Sequence, residues 1–362
     1  MQIVTYVLLA FAVVAAIDLI FGDKLGLGSQ LHQGIMMLGP LTLAMAGVMV
    51  LSPYIAELLS GVSGSFPEFL DFSIIPASIF ANDSGGAQLA VDLARDPEIG
   101  LFNGLVVASM MGVTITFTIP YSLQVTKPEN HDSLLLGIIC GMVTIPVGCI
   151  VGGLMLGIGF LPLVLDLVPM ILLLAAVAVG IVRFRRVTLR IFAIFGWIIR
   201  LLITVGLIIG IVEFLTEWRI LPVSMPLTDV MNTILNIACV MAGAFPLLHI
   251  VKLIFKKPFE LLGKRLGIND TAALGLLSTV ATSLTTFGMV NEMDKRGITV
   301  NAAFAVSAAF VFVDHLAFTM SYNSAYLPSM IVAKLLSGVA AVAMACLLMR
   351  LDSKKVAANR NS

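Results

Sequence analysis

The chain has 362 residues, 59% hydrophobic and 12% charged, with 21 basic and 21 acidic side chains and a mean hydropathy of +1.06. Soluble domains carry roughly twice that charged fraction, so a water-soluble globular fold is excluded, and zero net charge offers no footprint for nucleic acid. The cysteines, Cys140, Cys149, Cys239 and Cys346, lie inside apolar runs at no metal-ligand spacing. They read as packing residues, and no disulfide framework, metal or other cofactor is implied.

Apolar runs of about 20 residues, the length that crosses a bilayer core, recur along the chain. They predict an all-α polytopic membrane protein with about nine spanning helices, at 2–21, 33–52, 99–121, 133–158, 161–182, 190–214, 228–254, 298–321 and 325–349. The first, "MQIVTYVLLAFAVVAAIDLIF", lacks a basic leading region and reads as a retained span rather than a signal peptide. Two further apolar segments, 66–95 and 268–294, are interrupted near their middles by "ANDSGG" and "TSLTTFG". Each is long enough to enter the membrane and turn back.

Charge decides between crossing and turning back. The loop "RFRRVTLR" (183–190) is the strongest cytoplasmic signal in the chain. If both interrupted segments are re-entrant hairpins, every basic residue except Arg95, Arg219, Arg200 and Lys334 falls on the cytoplasmic side, including the tail 350–362. If the second one spans, Lys295, Arg296 and the tail fall outside instead. The re-entrant topology is therefore expected. It divides the chain into two five-element units of opposite orientation, 1–158 with hairpin 66–95 and 190–349 with hairpin 268–294. A linking span and Arg-rich loop (159–189) join them, which is the inverted-repeat plan of secondary transporters. Faint matches of Asp92 with Glu292, Arg95 with Lys295, Asn103 with Asn301 and Ser109 with Ser307 agree with that plan.

Irregular backbone at membrane depth survives only inside protein or beside water, so the polar tips are candidate binding sites. At the first, Asn82, Asp83 and Ser84 precede Gly85 and Gly86. Asp83 has two readings: a helix cap, or a charge placed for a cation, since an aspartate at the bilayer centre costs about 2.5–3.5 kcal/mol. The second tip offers Thr282, Ser283, Thr285 and Thr286, followed by Glu292, which either reaches a cavity or pairs with Lys295. Asp314 and His315 lie mid-span in "FVFVDHLAFTMSY". They stand about 100° apart on a helix, so one is expected to face the site and the other a neighbouring span. In "SMMGVTITFTIP", Thr114, Thr116 and Thr118 suit either an unwound ligand segment or hydroxyls bonded to their own helix. Phe80, Phe117 and Phe287 lie near the expected cavity, as cation-π faces or as packing. Arg200, Lys334, Asp18 and Asp166 are read as structural or snorkelling.

With these residues laid out, the chain resembles the ethanolamine permease family, EutH, across its whole length. The resemblance rests on "IIPASIFANDSGGAQLA", "STVATSLTTFGMVNEMDKRGI", "FVFVDHLAF" and their spacing. It implies uptake of ethanolamine across a bacterial cytoplasmic membrane, with the lipid bilayer and this small molecule as partners; self-association is compatible with it. An ammonium of this kind needs carboxylate or carbonyl oxygens, and its hydroxyl needs a donor–acceptor partner. Nothing in the chain resembles an enzyme's constellation; no His-Glu-x-x-His is present.

Overall fold

The computed structural model describes residues 2–64, 66–67 and 69–360; Met1, Ser65, Glu68 and the last two residues of the expected tail lie outside the described residues. Every regular element among the described residues is helical. In chain order the helices are α1 (Gln2–Ile20), α2 (Leu27–Val62), α3 (Ile74–Ile79), α4 (Gly86–Leu93), α5 (Pro97–Val125), α6 (Pro128–Met155) and α7 (Phe160–Arg183). They continue as α8 (Arg185–Thr216), α9 (Leu227–Leu266), α10 (Asp270–Thr279), α11 (Ser283–Gly288), α12 (Lys295–Ala308), α13 (Asp314–Asn323) and α14 (Leu327–Arg360). Among the described residues eight stretches are long and apolar enough to cross a membrane. Their outward faces carry Ile3, Ile20, Val182 and Leu215 at 70–80% exposure (77%, 78%, 75% and 72%). Such a belt would aggregate in water and belongs against lipid. The chain is a polytopic α-helical membrane protein.

Three expectations need correction. The span expected at 298–321 is broken: α12 has 14 residues and α13 has 10, each too short at about 1.5 Å per residue to cross a core of about 30 Å. The Arg-rich loop shrinks to Phe184 alone, because Arg185, Arg186 and Arg190, all good helix formers, open α8. Likewise α9 continues past the expected end of its span at 254 and carries Lys256, Lys257, Lys264 and Arg265, the last two in its final turn, where basic groups complement the carbonyl end of the helix.

The packing is reciprocal. Helix α1 lies on α9 and α8 lies on α2, and α3 packs on α5 as α10 packs on α12. At the centre α6 packs on α14, and each also touches both α5 and α12. Helix α7 stands outside this correspondence, against α3, α6 and α8. Each interrupted segment is clasped at its base. Asp71 accepts bonds from the amides of Ser73, Arg95 and Asp96, while Asp166 of α7 accepts from the Asp71 amide and from Asn103 Nδ2. At the second segment Asp294 accepts from the Asn269 amide, and Asn269 Nδ2 donates to the Glu292 carbonyl. Buried carboxylates that accept several amide bonds hold two chain ends together without a cation.

Candidate functional site

Helix α3 ends at Ile79, Phe80 and Ala81 are extended, and Asn82–Ser84 make one 3₁₀ turn. Gly85 then takes φ +90°, a conformation that suits glycine, and α4 begins. The tip is wedged tightly: a Cβ on Gly85 would lie 2.1 Å from Val48 Cγ1, and one on Gly112 of α5 would lie 1.8 Å from the Phe80 carbonyl oxygen. Asp83 caps no helix. The capping position of α4 is Gly85, with no side-chain bond, and the Asp83 carboxylate accepts from Ser84 Oγ at 3.2 Å.

The break between α12 and α13 faces this tip. Phe310 adopts φ +63°, an outlier for a bulky residue and of the kind held in place at functional sites. The freed backbone groups are not wasted: Phe310 N–H donates to the Thr279 carbonyl (3.1 Å) and Phe312 N–H to the Val280 carbonyl (3.0 Å). The end of α10 and the break therefore satisfy each other, as irregular backbone inside a membrane must. Asp314 is the first residue of α13.

Between tip and break lies a cavity of about 280 Å³ bordered by Asp83, Ser84, Thr116, Phe117, Phe310, Asp314 and His315, and closed by residues of α2 and α8 and by Leu284. That is roughly nine times the share of liquid volume of a water molecule, ~30 Å³. Asp83 and Asp314 are the two carboxylates among its lining residues. Among the described residues neither has an ion-pair partner. His315 is 1% exposed, and its Nδ1 has no hydrogen-bond partner. Phe117 packs edge-on against Phe310 (centroids 5.5 Å apart) and stacks on Tyr121 (5.1 Å).

The sequence-predicted residues thus divide. Asp83, Ser84, Thr116, Asp314 and His315 share the cavity wall. The expectation that only one of Asp314 and His315 could face the site is corrected: at the first turn of a broken helix both border the opening. Asn82 is fully buried beside it with both side-chain polar atoms unpartnered. Thr282 caps α11 through the Leu284 amide, Ser283 is buried, and Thr286 bonds the Gly275 carbonyl and Thr279 Oγ1. Thr285 and Glu292 are exposed, and Glu292 makes no ion pair with Lys295. None of these six borders the cavity. Helix α5 is not unwound but π-helical, over Asn103–Gly112 and Thr114–Thr118, and the Thr114 and Thr116 hydroxyls bond back to the carbonyls of Met110 and Gly112. Of the three phenylalanines expected near the site, Phe117 alone lines it.

Sequence reasoning missed Phe310, whose backbone strain has no signature in composition. It also gave Lys334 no role, leaving it between a structural and a snorkelling reading, of which burial removes the second. Lys334 is instead completely buried, with Nζ donating to the Ser109 carbonyl oxygen at 2.5 Å. A larger cavity of about 570 Å³ adjoins the first at Thr116 and runs past Pro120, Gln124 and Trp197 to His131 and Arg200. His131 opens the regular part of α6, next to Asp132, which pairs with Arg185 at 2.7 Å.

Broken and π-bulged helices that converge on a small, charged, membrane-embedded cavity define a class, the α-helical membrane transport proteins. Residues 1–348 match the family described as "Ethanolamine utilisation protein, EutH", and the chain belongs to that family. It is 41% identical over 345 residues to the "Probable ethanolamine permease EutH" of Listeria monocytogenes serotype 1/2a (strain 10403S), covering 95% of this chain and 92% of that one. The proteins of the same name from Salmonella typhimurium and Escherichia coli K12 are each 35% identical, over 97% and 96% of this chain and 96% and 95% of theirs. These names are those of a permease, not an enzyme. No solved structure matches the chain.

Proposed function

We propose that the protein takes up ethanolamine in its ammonium form, driven by the solute's own gradient and the membrane potential. One observation carries this reading: two carboxylates, Asp83 and Asp314, border one small cavity with no ion-pair partner among the described residues. A buried unpaired charge is costly, and a small organic cation offsets that cost. The ammonium sits between the carboxylates, and the hydroxyl exchanges hydrogen bonds with Ser84 or His315. A potential of 100 mV, inside negative, contributes about 2.3 kcal/mol per charge and supports roughly forty-fold accumulation, so no coupling ion is required.

The two interrupted segments act as re-entrant hairpins in an inverted repeat of 1–158 and 190–349, joined through 159–189, with the C-terminus cytoplasmic. The reciprocal packing supports this plan, because α1 on α9 and α8 on α2 are the contacts a two-fold relation between the units produces. The Arg185–Asp132 pair then lies at the cytoplasmic face, and the larger cavity from Thr116 to His131 is the release route. Alternating access follows if the hairpin tips open in turn.

The test is uptake of labelled ethanolamine into proteoliposomes holding this protein alone, with and without an imposed inside-negative potential. Uptake that rises with the potential and needs no added ion gradient is expected. Uptake indifferent to potential would refute transport of the cation.

A further inference from the structure

Each interrupted segment is fastened by side-chain hydrogen bonds to the opposite unit, and the two fastenings stand on either side of the cavity. On α4, Gln88 Oε1 accepts from the hydroxyl of Tyr322, near the end of α13, at 3.0 Å. The Gln88 amide nitrogen is committed to Asp92 (2.9 Å), whose other oxygen accepts from Ser52 of α2 (2.8 Å). With its donor so engaged, the amide turns its oxygen to the tyrosine. At the second segment, Asn291 Nδ2 donates to the Val125 carbonyl and Asn291 Oδ1 accepts from the Lys127 amide, both at 2.8 Å.

Two helical runs place the cavity between these fastenings. Asn291 precedes α12, Phe310 and Asp314 border the cavity at the break, and Tyr322 is the next-to-last residue of α13. On α5, Glu98 near the first end accepts from the Tyr326 hydroxyl through its carbonyl (3.3 Å), Thr116 borders the cavity, and Val125 is the last residue. The arrangement is reciprocal, since each segment is tied to the far end of the helical run that follows the other one. Gln88, Tyr322 and Asn291 are half-buried, while Asp92 and Lys127 are exposed. Water can replace such bonds when they part, so their net worth is modest. That suits contacts that must break and re-form in every cycle.

We propose that Tyr322–Gln88 is the outer latch of the transport cycle and Asn291, bound to Val125 and Lys127, the inner latch, both closed in this structure. Opening outward parts Tyr322 from Gln88 while Asn291 stays bound, and opening inward does the reverse. This rests on the alternating-access reading and on its placement of Lys127 at the cytoplasmic face. Tyr322→Phe removes one bond from every state except the outward-open one, so it favours outward opening by about two- to tenfold. Asn291→Ala removes two bonds from every state except the inward-open one, and favours inward opening by at least as much.

The experiment labels Ser84→Cys with a membrane-impermeant maleimide, in vesicles of each orientation, with Cys140, Cys149, Cys239 and Cys346 replaced by alanine. Tyr322→Phe should speed labelling from outside about two- to tenfold and leave labelling from inside no faster. Asn291→Ala should speed labelling from inside and leave labelling from outside no faster. A merely structural role would loosen the protein without regard to side. Equal acceleration from both faces, or no change in either variant, would therefore overturn the proposal. If Asn291→Ala is not recovered folded, Asn291→Asp, which keeps the acceptor for Lys127 and loses the donor to Val125, carries the same expectation. Labelling needs no substrate, so it decides on the latches even if wild type carries no ethanolamine, a result that would sink the substrate reading alone.

Discussion

Gly112→Ala is the substitution whose consequence is most directly set by geometry. A Cβ at this position would stand 1.8 Å from the Phe80 carbonyl oxygen, 2.4 Å from the Phe80 carbonyl carbon and 2.9 Å from the Ala77 carbonyl oxygen. All three are backbone atoms, so no rotamer change relieves the overlap. Restoring ordinary contact at 3.4 Å or more requires α3 and the tip to retreat from α5 along the whole contact. Overpacking against adaptable side chains costs about 1–3 kcal/mol, and a rigid backbone places this variant at or above the top of that range. The tip also carries Asp83 and Ser84, so the same retreat pulls two cavity residues away from Asp314. The expected result is a melting temperature in detergent lowered by several degrees, together with loss of most ethanolamine uptake. Thermal denaturation followed by size exclusion reads the first, and proteoliposome flux the second. A Gly112→Ala protein with wild-type melting and wild-type uptake would refute the wedged tip.

Asp83→Asn should raise the apparent substrate dissociation constant by about 10–100-fold, the worth of one charged hydrogen bond at about 1.5–3 kcal/mol, while melting stays near wild type because Asp83 caps no helix. Thr286→Val should do the reverse: it removes the bonds to Gly275 and Thr279, lowers stability by about 1 kcal/mol and leaves affinity unchanged. Glu292→Gln, at an exposed position away from the cavity, should transport as wild type in the same flux assay. Phe310→Gly relieves backbone strain on the order of 1–3 kcal/mol and removes a ring from the cavity wall, so competition assays should find bulkier amines accepted more readily than by wild type.

Hydropathy was enough to read the membrane class and most of the spans, because a 20-residue apolar run has few alternatives in a bilayer. The polar insertion at Asn82–Ser84 likewise drew attention to the tip, since charge is costly at membrane depth, and Asp83 and Ser84 line the cavity there. The break at Ala309–Val313 was not legible. "AAFVFV" is as apolar as an unbroken helix, and what opens it is the pairing of Phe310 and Phe312 amides with Thr279 and Val280, a long-range contact with no local signal. Lys334 was left between two readings for a related reason. A lone lysine in an apolar run reads the same whether it snorkels or is buried, and only the approach of α5 places Ser109 under its ammonium. The second tip misled in the opposite direction: Thr282 caps α11, Thr286 binds α10, Ser283 is buried and Thr285 is exposed away from the cavity.

A structure of the protein solved with ethanolamine bound tests the central claim most directly. The account predicts ligand density in the cavity between Asp83 and Asp314, with the ammonium within hydrogen-bond distance of at least one carboxylate. Ligand held elsewhere, for instance in the larger cavity beside His131 and Arg200, with both carboxylates untouched, would contradict it.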